Sequence, residues 1–200
     1  MTMAHTPGAG RSSYYDASLG ARVHTLAPGS FHVATADELI STLLGSCVAA
    51  CIYDPLRAIG GMNHFLLPDG GPGDSQGGPV SSSNRYGVFA MESLINALLA
   101  RGASKARLRV KLFGGGRILS QLSDVGARNI EFVRRFVETE RLPVEAEDLG
   151  GEQARRVLMF PATGKVRVRK LPMLGARDVG LEETQYLRTV TPPRGSVELF

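Results

Sequence analysis

With 200 residues, 43% of them hydrophobic and 21% charged, the chain has the make-up of one globular domain long enough to bury a core without staples. That composition excludes collagen-like, coiled-coil and wholly disordered classes, and two cysteines are too few for a disulfide scaffold, which suggests a reducing compartment. The net charge of +4 is uneven, with ten Lys or Arg against four Asp or Glu from Arg101 to Arg141, a local +6, and −2 over the rest. No RNA-binding, zinc-knuckle or basic-zipper signature accompanies it, so no nucleic-acid partner is expected.

Residues 1–21 are rich in Gly, Ser, Ala and Thr without a sustained apolar period and predict a flexible leader. Val23, Thr25 and Ala27 give a weak strand, Pro28-Gly29 a turn, and Phe31-His32-Val33 a second short strand. Cys47 to Tyr53 is a short apolar run stopped by Asp54-Pro55, the pattern of a buried strand, and Ile59 to Leu67 is another, stopped by Pro68. The longest nearly apolar stretch, Leu43 to Tyr53, is about half of a membrane span and is broken by Gly45 and Ser46. The N-terminus has no basic or apolar targeting region. A cytoplasmic chain without membrane insertion is therefore expected.

Asp69 to Ser83 reads as a long functional or mobile loop. Arg85 to Arg101 is the clearest helix, with Val88, Met91, Leu94, Ile95, Leu98 and Leu99 on one stripe and Gly102 as its stop. Ala106 to Phe113 alternates charge and apolar side chains as a half-exposed strand, followed by the Gly114-Gly115-Gly116 turn. Gly126 to Glu140 predicts a second helix, with Ile130, Val133, Phe136 and Val137 inward. Val157 to Phe160 and Val166 to Arg169 flank Pro161 to Lys165 as a hairpin, and past Lys170 the pattern weakens into a C-terminal extension over 173–200. Strands outnumber interspersed helices, so the class is α/β or α+β with a mixed sheet.

The two cysteines lie four apart. In an extended run their Cα atoms stand ~13 Å from each other, beyond disulfide reach. No second ligand pair at metal spacing is present, so no metal or other cofactor is expected. Cys51, between Ala50 and Ile52, reads as a small core residue. Cys47 follows Gly45-Ser46, where the chain can turn sharply and expose a thiol and backbone N–H groups. It is either a second core thiol or a nucleophile with amides ready to receive an oxyanion. A nucleophilic thiol needs a base. His64 follows Gly60-Gly61-Met62-Asn63, and two strands joined by the Asp54 to Ala58 turn would bring residues 47 and 64 together. Read alone, it is either that base or a structural histidine. The triple glycine lacks the Lys-Ser/Thr or acidic partner of a phosphate cradle and reads as a tight turn packed on the catalytic region.

The run Leu43-Leu44-Gly45-Ser46-Cys47-Val48-Ala49-Ala50-Cys51-Ile52-Tyr53-Asp54-Pro55, followed by Gly60-Gly61-Met62-Asn63-His64-Phe65-Leu66-Leu67-Pro68, resembles the CheD family of chemoreceptor glutamine deamidases. The resemblance continues through Lys111 to Gly116, Val125 to Asn129, Glu147 to Gly151, Arg155-Arg156 and Thr163-Gly164-Lys165, and covers about residues 22–172. It implies a mixed β-sandwich flanked by helices, similar to bacterial toxin deamidases, with a cysteine-protease-like site. It implies Cys47 as nucleophile and His64 as base. The family's third catalytic residue, a threonine six positions before the cysteine, falls on Ser41, with Thr42 beside it; either hydroxyl is a candidate to orient the ring. The implied substrates are glutamines of methyl-accepting chemotaxis receptors, and some members meet a CheC-type phosphatase.

The chemistry then runs through a thioester. His64 takes the Cys47 proton, an imidazolium favours the thiolate, and the thiolate attacks the glutamine carboxamide. The oxyanion is expected on backbone N–H groups near Ser46 and Cys47, each worth ~3 kcal/mol of barrier. The +6 segment would steer acidic receptor helices. A contrasting reading is a non-enzymatic adaptor that binds receptors or the phosphatase through the 69–83 loop or the basic helix. A third is hydrolysis of glutamate methyl esters by the same thioester chemistry.

Overall fold

The computed structural model describes residues 12–68, 82–118 and 123–189. They form ten strands and three α-helices: β1 (Ser12–Asp16), β2 (Ala21–Leu26), β3 (Phe31–Ala34), β4 (Glu38–Leu44), β5 (Val48–Asp54), β6 (Ile59–Asn63), α1 (Ser82–Leu99), β7 (Arg109–Gly114), α2 (Ser123–Thr139), β8 (Val144–Leu149), β9 (Arg155–Phe160), β10 (Lys165–Lys170) and α3 (Met173–Thr189). Two five-stranded sheets result, in the orders β1-β2-β4-β9-β10 and β3-β6-β5-β7-β8. Each is mixed: β2 runs parallel to β4 and β7 parallel to β8, while the other pairs are antiparallel. Among the described residues no helix is long and apolar enough to cross a membrane.

β5 explains the layering. It is the middle strand of its sheet, and every one of its residues is buried. Side chains alternate between faces along a strand. Val48, Ala50 and Ile52 therefore join the core that α1 and α2 close with Met91, Leu94, Leu98, Val133 and Phe136. Ala49, Cys51 and Tyr53, with Cys47 just ahead of the strand, face the other way, against Leu26, Ile40, Leu44, Val157 and Met159 of the first sheet. A strand covered on both faces reads as a continuous apolar run, which is how this one stands out in the sequence. The molecule is thus sheet on sheet, with two helices on the outer face of the second sheet, as the mixed-sandwich reading requires.

Three expectations change. The leader was expected to run to residue 21, but Ser12–Asp16 form an edge strand paired with β2, Ser13 opposite His24 and Tyr15 opposite Arg22. Its first four residues are exposed, so burial left no apolar alternation to read. The C-terminal extension contains a 17-residue helix, α3. The basic segment is not a free patch. At least six of its ten cations are paired among the described residues, Lys105 with Glu140, Arg107 with Asp54, Arg109 and Lys111 with Glu145, Arg134 with Glu147 and Arg135 with Glu131. Asp54, Glu145 and Glu147 come from outside the segment, so folding offsets three of the six excess charges and weakens the steering expected of them. The 69–83 loop lies outside the described residues except at its end.

Candidate active site

The β5–β6 hairpin brings Cys47 and His64 together. Its register pairs Asp54 with Ile59 and Cys51 with Met62, and the same register continues beyond the strands, where Val48 and Phe65 exchange backbone hydrogen bonds of 3.0 and 2.9 Å. His64 therefore lies opposite Ala49. Cys47, two residues from Ala49, projects to the same face as a diagonal neighbour. The sulfur, a His64 ring nitrogen and a carboxylate oxygen of Glu183 all lie within 4.8 Å of one another, and all three residues are buried.

Of the two candidate hydroxyls, only Thr42 reaches the ring: its Oγ1 is 2.7 Å from His64 Nδ1. Ser41 points to the opposite face of β4, into a shallow groove with Tyr14, Leu19, Arg156 and Leu158. Register decides this. Ile40 and Leu44 flank Thr42 at two-residue spacing and lie in the core between the sheets, while Leu39 lies in a separate cluster with Ala21 and Val23. Of the two hydroxyls, the one the family offset falls on, Ser41, therefore lies away from the ring, and Thr42 is the one in contact with it. Thr42 Oγ1 also donates to the Leu26 carbonyl at 2.9 Å. A hydroxyl has one proton, so toward His64 it can only accept. The Nδ1 position then carries the ring proton, and Nε2, which has no hydrogen-bond partner, keeps its lone pair.

The turn before β5 is held from several sides. The Gly115 and Gly116 amides donate to the carbonyls of Cys47 and Gly45, both at 2.7 Å. Gly114 has φ +110°, and a Cβ there would stand 2.2 Å from the Cys47 carbonyl oxygen, so the triple glycine is a close-packed turn against this segment. Asn129 of α2 donates from Nδ2 to the Ser46 carbonyl at 2.8 Å and accepts the Leu67 amide at 2.9 Å. Held this way, the amides of Gly45, Ser46 and Cys47 converge on one acceptor, the Glu183 carboxylate of α3. Oε1 accepts from Gly45 N at 2.8 Å and Cys47 N at 3.1 Å, and Oε2 accepts from Ser46 N at 2.8 Å and Ser46 Oγ at 2.6 Å.

These surroundings set the charges. Burial, then the charge and hydrogen bonding of Glu183, push the Cys47 thiol well above its usual range. Burial pulls the His64 ring down to about 4, against the opposing charge of Glu183. Both shifts favour the neutral form of each group. Cys51 is also buried, and its thiol is pushed up by burial, against the opposing charge of Lys111.

Two clusters have donor sets suited to a cation, Cys47–His64–Glu183 and His24–His32–Glu38. In the first, both Glu183 oxygens already accept hydrogen bonds. In the second, His24 Nε2 is 3.0 Å from Glu38 Oε1 and the two rings stand 4.1 Å apart, a hydrogen-bonded cluster in its own right. Asn129 and Glu183 were not picked out as site residues from the sequence. Asn129 lay inside a matching motif, but Glu183 lay in a segment read as tail.

Comparison with known proteins fits this geometry. The family model for CheD chemotactic sensory transduction matches residues 66–170. The chain is 44% identical over 199 residues to a Halorhodospira halophila protein named "Probable chemoreceptor glutamine deamidase CheD", covering 97% of this chain and 92% of that one. It is 50% identical over 161 residues to the Bordetella avium protein of the same name, covering 79% of this chain and 70% of that one. Among solved structures, Neisseria meningitidis protein NMB0706 aligns with a TM-score of 0.42 at 10% identity, over 67% of this chain and 64% of that one.

Proposed function

Because the chain belongs to the CheD family, we propose that it deamidates glutamines of chemotaxis receptors through a thioester on Cys47. The observation that carries the mechanism is the convergence of three backbone amides on the position beside the Cys47 sulfur and the His64 ring. Once a substrate carboxamide replaces the Glu183 carboxylate there, the amides of Gly45, Ser46 and Cys47 receive its oxygen as it turns into an oxyanion. Thr42 fixes the ring so that Nε2 takes the thiol proton while sulfur bonds to the carboxamide carbon. The C–N bond breaks, and His64 returns the proton to the departing ammonia. Water, deprotonated by the same ring, then cleaves the thioester to leave glutamate and the free thiol.

Removing a carboxylate from the site also removes a charge that, after burial, raises the thiol, so substrate entry favours activation of the nucleophile. Both cysteines are free thiols, in keeping with a cytoplasmic setting. The test is mass spectrometry of receptor helices incubated with the chain. Conversion shows as a gain of about one dalton per glutamine, and Cys47→Ala abolishes it. Conversion that persists in Cys47→Ala refutes the nucleophile.

A further inference from the structure

Glu183 is 1% exposed, yet Leu181, two residues earlier on the same helix, is 66% exposed. A carboxylate is held in the interior only where donors replace its water, and a buried one ordinarily meets Arg or Lys. Here, among the described residues, it meets three amides and one hydroxyl, all from Gly45, Ser46 and Cys47. The side chain spans helix to pocket with the same carbon skeleton as the glutamate that deamidation leaves behind. It puts its oxygens where the reaction places the carboxyl oxygens. No catalytic step needs it, and its presence excludes a substrate from the same amides.

The rest of the seat of α3 is light. Val179 is its one buried hydrophobic among the described residues. Tyr186 packs on Gly29, where a Cβ would meet its hydroxyl at 1.8 Å, and shares a hydrogen bond with Tyr86 of α1. Over residues 178–189, Val179 is the one fully buried apolar side chain, with Tyr186 and Leu187 partly buried, and a segment seated so opens more readily than the sheets beneath it.

We propose that α3 is a built-in product mimic: Glu183 occupies the carboxamide subsite, and α3 must leave before a substrate helix docks on the surface it covers, between Gly29, Tyr86 and the Gly45–Cys47 turn. The blockage rests on the geometry alone, whereas the word product rests on the deamidase reading.

Two measurements on the full chain separate these. The first is iodoacetamide labelling at neutral pH, read separately at Cys47 and Cys51. Glu183→Ala is expected to speed labelling of Cys47 by at least about tenfold with Cys51 unchanged, because the sulfur becomes accessible and loses its carboxylate neighbour. Equal Cys47 rates in parent and variant overturn the proposal. Acceleration at both sulfurs alike signals general unfolding and overturns it for this variant, so a near-isosteric change is tested as well.

In Glu183→Gln the mimic becomes a substrate. Cys47 sulfur bonds to the carboxamide carbon, its proton passes through His64 to the departing ammonia, and water restores the carboxylate and the thiol. The variant is expected to gain about one dalton on standing, and Cys47→Ala in the same chain to prevent it. A Glu183→Gln chain that keeps its mass while deamidating an added receptor helix overturns the product mimic. If neither is converted but Glu183→Ala still unmasks Cys47, the deamidase reading falls and the blockage stands.

Discussion

Thr42→Val is the sharpest probe of the site, because it removes one oxygen and keeps the shape of the side chain. Thr42 is 1% exposed, so no water takes over its two hydrogen bonds, to the Leu26 carbonyl and from His64 Nδ1. Leaving a buried polar group without a partner costs about 1–3 kcal/mol, so the fold should lose ~2 kcal/mol in a denaturant titration. The chemical effect is separate. Without an acceptor at Nδ1, the ring loses its preference for keeping the lone pair on Nε2, and its orientation toward Cys47 loosens. We expect kcat for ammonia release to fall about 10- to 100-fold, or ~1.4–2.7 kcal/mol of transition-state stabilisation. Thr42→Ser should recover most of it, because the hydroxyl returns and only the methyl that stiffens χ1 is missing. Ser41→Ala, on the outer face of the strand, should change kcat by less than about twofold. A larger loss in Ser41→Ala than in Thr42→Val would refute the tautomer argument.

Gly114→Ala should lower stability by about 2–4 kcal/mol in urea, from a positive φ and a Cβ 2.2 Å from the Cys47 carbonyl; an unchanged midpoint would contradict the close packing. Cys51→Ala should cost ~1–2 kcal/mol of core packing while leaving kcat within about twofold, and loss of turnover equal to that of Cys47→Ala would mean the wrong thiol was assigned. The folded His64 ring stays neutral down to about 4, whereas the unfolded ring takes its proton near 6.5. The unfolded state binds the extra proton below that value, so thermal stability should fall as pH drops from 6.5 toward 4, with a slope that His64→Gln flattens.

What the sequence discloses follows what burial does to a pattern. β5 is covered on both faces and shows as a plain apolar run, and with the short turn after it the hairpin register follows, so Cys47 and His64 could be paired from sequence. The choice between Ser41 and Thr42 could not. Leu39 and Leu43 share one face of β4, Ile40 and Leu44 the other, so both faces look apolar and alternation does not say which hydroxyl points inward. β8 was missed because it is a parallel edge strand with four exposed residues, Val144 to Glu147, and nothing periodic to read. α3 was missed for the opposite reason. Its buried side includes Gly180 and Glu183, two residues that ordinarily argue against a buried helical face. A rule that assigns carboxylates to solvent fails where a carboxylate is held by amides.

That failure bears on how the site is built. The turn of Gly45 to Cys47 is fixed by Gly115 and Gly116 from β7's end and by Asn129 from α2, none of which is part of α3. Its amides therefore stay aimed at the same point whether or not Glu183 is there, which is the preorganisation that oxyanion stabilisation requires. His64 is arranged with the same economy: Nδ1 is committed to Thr42, while Nε2 is buried without a partner. A buried nitrogen left unsatisfied is unfavourable, and packing alone gives no reason to keep one. The proton transfer proposed for His64, from Cys47 to a leaving group, does, because that nitrogen has to be empty to receive it.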